Sequence, residues 1–184
     1  MPHIPYIDPP PPGDSALVDA IRERRGGRLL NLDLMLLHSP PFAAGWNGFL
    51  REVRQHLGLD PVLRELAICH IALLNAADYE YTQHAPEFLA VGGQQLALNR
   101  LLADADALQD PDWSAAERAV LELTRAMTRE ITVPAPVLAA ARAAVPGERE
   151  LIELVGVIAA YNMVSRFLVA TGVTLDGEAG EGER

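Results

Sequence analysis

Two carboxylates and one histidine in the middle of the chain are of the types that acid–base chemistry uses. Glu80 and His84 are four residues apart, which places them on one face of a helix. At that spacing a carboxylate can orient an imidazole and raise its basicity, as a general acid or base requires. Glu65 lies on the preceding helix, where its neighbours Cys69 and Ala72 are small enough to leave room for a ligand or a closely packed helix. Glu65, Glu80 and His84 are therefore the catalytic candidates.

These residues also have a simpler interpretation. A Glu-x-x-x-His pair on a helix is most often a solvent-exposed pair that contributes about a few tenths of a kcal/mol. Glu65 could be held in a salt bridge, for example to Arg166. Metal binding has little support, because the histidines show neither HExxH nor a similar ligand spacing. We predict no metal and no cofactor.

A second group of residues could contact a substrate. On the last helix Asn162 and Arg166 form a polar pair within a largely apolar face, and the simpler alternative is a hydrogen-bonded helix contact in the core or at a subunit interface. Arg166 could neutralise a substrate carboxylate. Tyr79 could join the site from the start of its helix. Cys69 borders the site, although a lone cysteine usually behaves as a small buried hydrophobic residue.

Composition limits the partners of this 184-residue chain. The formal net charge is −10 and no basic cluster occurs, which argues against nucleic acid and against an anionic membrane surface. The single cysteine excludes an intramolecular disulfide, and nothing resembles a signal peptide. The longest apolar stretch, 154–164, is too short to span a bilayer. We expect a cytoplasmic protein.

The pattern of helix signals predicts an all-α fold with three parts. Prolines make residues 1–13 an extended arm, either loose or lying over a neighbouring subunit. Residues 14–175 form one helical domain, and residues 176–184 an acidic flexible tail. The expected helices are 15–25, 30–38, 41–57, 61–75, 79–91, 114–129, a short one after Pro134, and 148–171. The third carries an apolar stripe on one face, formed by Phe42, Trp46, Phe49, Leu50, Val53 and Leu57, and the 114–129 helix should turn Val120, Leu123 and Met127 inward.

The segment LRELAICHIALLNAADYEYTQHAPEFLAVGG, residues 63–93, resembles the signature region of the carboxymuconolactone decarboxylase-like family. The similarity extends over about residues 16–175 and includes LLHSP, WSAAERAVLEL, ITVPAPVL and IAAYNMVSRFLVATGV. It implies a helical bundle of the alkylhydroperoxidase-like type that assembles into a homo-oligomer, as a dimer, trimer or hexamer.

The resemblance also indicates where the site lies. In the alkylhydroperoxidase-like branch a glutamate precedes a Cys-x-x-Cys pair, and a histidine follows the pair by four residues. Glu65 matches the glutamate and His84 the histidine, whereas Ala77 and Glu80 stand in place of the two cysteines. A thiol–disulfide cycle needs both a nucleophilic and a resolving thiol. The chain is therefore similar to the cysteine-free branch, which commonly has YEW where this chain has Tyr-Glu-Tyr.

Three hypotheses of function follow. The leading one is a small-molecule enzyme similar to a lactone decarboxylase, a lyase acting on a carboxylated substrate, in which His84 held by Glu80 moves a proton and Glu65 is a partner base or polar anchor. The second is an antioxidant peroxidase that uses Cys69, which the missing Cys-x-x-Cys disfavours. The third is an oligomer that binds a small ligand or a partner protein without catalysis. The sequence leaves open whether the chain is an enzyme.

Overall fold

All regular structure within the described residues is helical, as the abundance of alanine and leucine predicts. The computed structural model describes residues 1–106 and 108–177. Their helices are α1 Ala16–Arg24, α2 Asn31–Leu36, α3 Pro40–Gln55, α4 Pro61–Leu74, α5 Asp78–Ala90, α6 Gln95–Ala103, α7 Ala115–Arg129, α8 Ala135–Ala144 and α9 Glu148–Thr171. Most of the predicted acidic tail, residues 178–184, lies outside the described part of the chain.

Two predicted helix starts are confirmed by their hydrogen bonds. The Asp60 side chain accepts from the Val62 amide at 2.7 Å, and Pro61 occupies the first helical position, where its missing N–H costs nothing. In α7 the Ser114 hydroxyl accepts from the Glu117 amide, and the Glu117 carboxylate accepts from the Ser114 amide. This reciprocal capping box satisfies two backbone donors at the helix start.

The chain divides into two compact units. One comprises Met1–Gln55 with the chain from Leu168 onward, and it includes the proline-rich arm. The arm is bonded to its own unit: the His3 amide donates to the Thr171 carbonyl at 2.9 Å, and the Thr174 amide donates to the Tyr6 hydroxyl at 2.8 Å. The described arm is thus anchored within its own chain.

In the second unit, His56–Phe167, α4 is the central helix and contacts α5, α6 and α7. Nine of its side chains are buried, as expected for a helix that is apolar on most sides. Buried residues from several elements form an apolar cluster there: Leu66, Cys69, Phe88, Ala97, Leu98, Leu101, Leu108, Trp113 and Leu121. This packing holds α5 against α4.

Three details of the helices differ from what the sequence pattern alone suggests. Phe42 and Phe49 are 46% and 49% exposed, because the buried face of α3 consists of Ala43, Trp46, Leu50 and Val53 and both rings fall at its margin. Met127 is only half-buried. Helix α6 was not predicted, since its N-cap, Gln94, makes no side-chain capping bond and leaves no start signal.

Helix α9 has the length and apolar composition of a membrane span, and among the described residues no other helix does. More than half of its most apolar stretch is buried, and its polar side chains bond to α5 and α7. Both features are typical of the core helix of a soluble protein.

Candidate functional site

Helices α4 and α5 bring two of the predicted catalytic residues together. The connecting turn contains Ala76 in the left-handed region at φ 51°, and the Ala77 amide donates back to the Ala72 carbonyl at 2.8 Å. A non-glycine residue in that region costs about 1 kcal/mol or more, which the packing of α5 on α4 offsets. The turn folds α5 onto α4, so that His84 reaches Glu65.

The centre of the site is a buried pair. His84 Nδ1 lies 2.6 Å from Glu65 Oε2, and each residue is only 4% exposed. Arg64 Nε lies 3.1 Å from the other carboxylate oxygen, Oε1. Both oxygens of Glu65 are therefore engaged by cationic or hydrogen-bonding groups, which is the arrangement that makes a buried carboxylate tolerable.

The surroundings of Glu65 fix its protonation state. Burial alone would raise the pKa of this carboxyl, but the hydrogen bond and charge of His84, followed by those of Arg64, lower the pKa below its ordinary value. An ionised carboxylate only accepts, so His84 Nδ1 carries the proton between them. This hydrogen bond fixes the tautomer and the orientation of the imidazole.

Glu80, the third catalytic candidate, contacts helix α9. It is 2% exposed, and both of its oxygens lie 3.0 Å from Ser165 Oγ on α9. The structure thus gives Glu65, rather than Glu80, the place at His84 Nδ1. One turn before Ser165, the Tyr161 ring packs edge-on against His84, with centroids 4.9 Å apart. Helix α9 therefore contacts both Glu80 and His84 of α5.

Asn162 and Arg166, the predicted polar pair of α9, form a separate network. The Asn162 amide donates to Thr128 Oγ1 of α7 at 2.9 Å, and its oxygen accepts from Asn75 at 3.2 Å and from Arg166 Nη1 at 2.8 Å. The simpler alternative, a hydrogen-bonded helix contact, describes Asn162 well. Arg166 itself is exposed, and no described carboxylate forms an ion pair with it.

The remaining two candidates are enclosed. Tyr79 is buried in the first turn of α5. Cys69 is fully buried in the apolar cluster, and burial, followed by the charges of Glu65 and Glu80, raises the pKa of its thiol far above the ordinary value. A thiol in that environment stays protonated and is a poor nucleophile.

One open groove of about 630 Å³ occurs elsewhere in this unit. Its lining includes the charged residues Asp106, Glu122, Arg125 and Glu130 and does not include any of the predicted site residues. No group of three or more potential metal ligands occurs among residues 1–106 and 108–177. The Glu65–His84 pair is therefore the best chemical candidate among the described residues.

The sequence did not single out three residues that contact the candidate residues: Arg64, Tyr161 and Ser165. Arg64 lies within the segment 63–93 that carries the family resemblance. Tyr161 and Ser165 are four residues apart, so they share a face of α9, and a polar residue on that apolar face was the available signal. Their partners on α5 are about eighty residues away in sequence, beyond the reach of local spacing.

No protein-family model and no curated protein matches the chain. Several solved structures are similar to it. An uncharacterized peroxidase-related protein from Silicibacter sp. TM1040 is similar with a TM-score of 0.76 and 17% identity, over 95% of this chain and 90% of that one. The alkylhydroperoxidase AhpD core of an uncharacterized peroxidase-related protein from Ralstonia eutropha JMP134 gives 0.76 and 17%, over 96% and 93%.

A third similar structure is a protein of unknown function from Agrobacterium tumefaciens, proposed to be the antioxidant defence protein AhpD. It has a TM-score of 0.69 and 20% identity, over 78% of this chain and 97% of that one. At such identities the likeness shows the fold. It confirms the predicted all-helical bundle of the alkylhydroperoxidase-like type.

Proposed function

We propose that this chain, which has the AhpD-like all-helical fold, is a small-molecule enzyme that transfers protons through Glu65 and His84. The observation that carries the proposal is the 2.6 Å contact between Glu65 Oε2 and His84 Nδ1, with both side chains buried. A carboxylate that orients a histidine through Nδ1 and stabilises its imidazolium form is the arrangement that general acid–base catalysis uses. Arg64 supports it by keeping Glu65 ionised.

The reaction class that we favour is loss of CO₂ from a small carboxylated lactone. The bond between the carboxylate carbon and the ring breaks, and its electron pair stays on the carbon framework. The protonated His84 delivers the Nε2 proton to the ring carbon that lost CO₂, and solvent then returns a proton to the imidazole. Glu65 stabilises the imidazolium before the transfer, so the pair needs no redox partner and no cofactor.

Arg166 is the proposed anchor for the carboxylate of the substrate. Its guanidinium is exposed, and one nitrogen is held by the Asn162 carbonyl at 3.0 Å and the Asn162 side chain at 2.8 Å. An arginine fixed at one nitrogen keeps other N–H donors for a bidentate contact with a carboxylate. We expect substrates that lack a carboxylate to bind more weakly.

A cysteine-dependent peroxidase is the alternative that the names of the similar proteins suggest. The structural likeness favours it, but the chain lacks a Cys-x-x-Cys pair, and Cys69 is buried with a raised thiol pKa. The proton-transfer hypothesis is therefore preferred. We also propose that the protein works as a cytoplasmic homo-oligomer, which light scattering at micromolar concentration would test.

The experiment is a screen of small carboxylated lactones in D₂O, followed by proton NMR. Turnover should place one deuterium on the carbon that lost CO₂. His84→Ala should lower kcat by about 10²- to 10⁴-fold, the typical contribution of general acid–base catalysis. His56→Ala, which changes an exposed histidine of the same unit, is the matched control and should leave kcat unchanged.

Two outcomes would contradict the proposal. Unchanged turnover in His84→Ala would exclude His84 as the proton donor. A lactone that raises the melting temperature without being converted would instead indicate a ligand-binding protein.

A further inference from the structure

One face of α9 is exposed to solvent over most of the length of the helix. The opposite face packs in the core, where Leu151, Leu154 and Ile158 are at most 3% exposed. The exposed residues recur every three or four positions and form a row that we call the α9 seam: Glu148, Ile152, Gly156, Ala159, Met163 and Arg166. A repeat of three and four residues keeps side chains in one line along a helix, as in the contact between two packed helices.

The middle of the α9 seam is apolar and has its smallest residues at the centre. Ile152 and Met163 are 69% and 39% exposed. Gly156 and Ala159 lie between them and are also exposed, and a Cβ added to Gly156 would meet no other atom within 4 Å. Small residues at a crossing point allow two helices to approach closely, and the larger side chains beside them fill the remaining space.

The two ends of the seam carry opposite charges. Glu148 begins α9, and its side chain is 71% exposed although its carboxylate lies 2.8 Å from Arg142 Nε. Arg166, near the other end, is exposed, and no described carboxylate forms an ion pair with it. The row thus has an acidic end, an apolar centre and a basic end.

This row is complementary to itself when two copies run antiparallel. Gly156 and Ala159 are equally distant from the midpoint between positions 157 and 158, and so are Ile152 and Met163. A two-fold axis at this midpoint places each residue against its equidistant counterpart in the other copy. Small residues then face small residues at the axis, and large apolar side chains face each other on both sides of it.

The charged ends fit the same register. Glu148 and Arg166 are equally distant from that midpoint to within one residue, or about 1.5 Å of helix rise. In an antiparallel pair, Glu148 of each copy lies beside Arg166 of the other, whereas a parallel pair would place like charges together. This charge complementarity indicates a second copy of the chain as the occupant of the seam.

We propose that the α9 seam is the surface on which two copies of this chain pair, antiparallel and about a two-fold axis. The inference gives a contact surface to the homo-oligomer proposed above, and it rests on that assembly and not on proton transfer by His84. Arg166 has donors at the two nitrogens that Asn162 does not hold, enough for Glu148 of the other copy and for a substrate carboxylate. The second copy therefore borders the proposed carboxylate anchor.

The first test is the mass of the full chain in solution, measured by analytical ultracentrifugation at micromolar concentration. A two-fold contact predicts that the wild-type protein contains an even number of copies of the 19.9 kDa chain. Ala159→Arg places two like charges beside the axis and should halve that mass. Leu96→Arg, which changes an exposed apolar residue of α6 in the same way, is the matched control and should leave the mass unchanged.

Charge reversal at the exposed ends tests the register, and it does so even if Ala159→Arg fails to fold. Glu148→Arg gives a seam with two basic ends, and Arg166→Glu gives one with two acidic ends. Each variant alone should associate about tenfold or more weakly than the wild-type protein, because like charges then meet at both ends. A one-to-one mixture should regain the wild-type mass, because every charged contact between the two variants joins opposite charges.

Different outcomes would overturn this inference and the proposed assembly. A monomeric wild-type protein would overturn both. A wild-type trimer, or an oligomer whose mass Ala159→Arg leaves unchanged, would overturn the α9 contact alone. So would folded charge-reversal variants that associate as the wild-type protein does, or that the mixture fails to rescue.

Discussion

Two buried histidines on neighbouring helices, His70 of α4 and His84 of α5, have opposite electrostatic surroundings. His84 Nδ1 lies 2.6 Å from the ionised Glu65 carboxylate. His70 is fully buried, and its Nε2 donates to the Ala105 carbonyl at 2.7 Å. Burial lowers the pKa of His70 to about 4, and the Ala105 carbonyl and the Asp106 charge offset only part of that effect.

The difference shows that burial alone does not determine whether a histidine can accept and release a proton. A carbonyl oxygen satisfies one N–H of His70 but carries no charge to stabilise an imidazolium, so His70 stays neutral near pH 7. The Glu65 carboxylate provides that charge to His84. Of the two, His84 is the one equipped to accept and release a proton, and His70 serves as a hydrogen-bonded core residue.

The largest expected effect comes from removing the carboxylate that distinguishes the two sites. Glu65→Gln keeps the shape of the side chain but removes the charge that stabilises the His84 imidazolium. We expect kcat for the substrate found in the lactone screen to fall by about 10²-fold or more. His70→Gln is the matched control, since its amide can still donate to the Ala105 carbonyl, and kcat should stay within about threefold. Steady-state kinetics on folded protein, verified by circular dichroism, measures both.

Either of two results would contradict the contrast between His84 and His70. Wild-type turnover by Glu65→Gln would mean that the pair is structural. A loss of kcat in folded His70→Gln as large as that in Glu65→Gln would mean that both histidines serve the reaction.

The second prediction concerns stability against pH. The folded pKa of His70 is about 4, below the unfolded value of about 6.5, so the unfolded chain binds more protons between these values. The contribution of neutral His70 to the free energy of unfolding is therefore complete above pH 6.5. It is lost as the pH falls towards 4, by about 3 kcal/mol in total. Urea denaturation at pH 7 and pH 5 measures the loss.

The His70→Gln variant isolates this contribution, because glutamine does not titrate. The loss of stability between pH 7 and pH 5 should be smaller in the variant than in the wild-type protein. Parallel pH profiles for the two proteins would show that His70 titrates normally and that its surroundings do not exclude the charge.

The sequence predicted the elements better than it predicted the contacts between them. Residue types and family resemblance selected Glu65 and His84, and helix signals placed them on adjacent helices. The i, i+4 spacing placed Glu80 and His84 on one helix face, but it gave no indication of the contact between Glu80 and Ser165, 85 residues later. Local spacing reports which residues share a helix face. The helix that packs against that face is determined by the packing of α9, and no short motif encodes this packing.

The same limit explains the errors in α3 and α6. Phe42 and Phe49 fit an apolar stripe, but the boundary of the buried face depends on the neighbouring elements. Helix α6 lacks a capping signal and is fixed by packing of Leu98 and Leu101 in the core. Burial by tertiary contacts decided both outcomes, whereas the starts of α4 and α7, where Asp60 and Ser114 cap the helix locally, were predicted correctly.

The smallest expected effect extends the comparison to a third buried titratable group. Cys69 follows Glu65 by one turn of α4. Burial and the charges of Glu65 and Glu80 raise the pKa of its thiol. The thiol therefore stays protonated and uncharged, just as His70 stays neutral. Cys69→Ala should therefore leave lactone turnover and any peroxide reduction unchanged, and cost roughly 1 kcal/mol of stability for the lost apolar volume. A thiol reagent should label the wild-type protein only after unfolding. Peroxidase activity that disappears in Cys69→Ala, or rapid labelling of the native protein, would show that the charges around Cys69 do not suppress its thiolate, and would favour the antioxidant alternative.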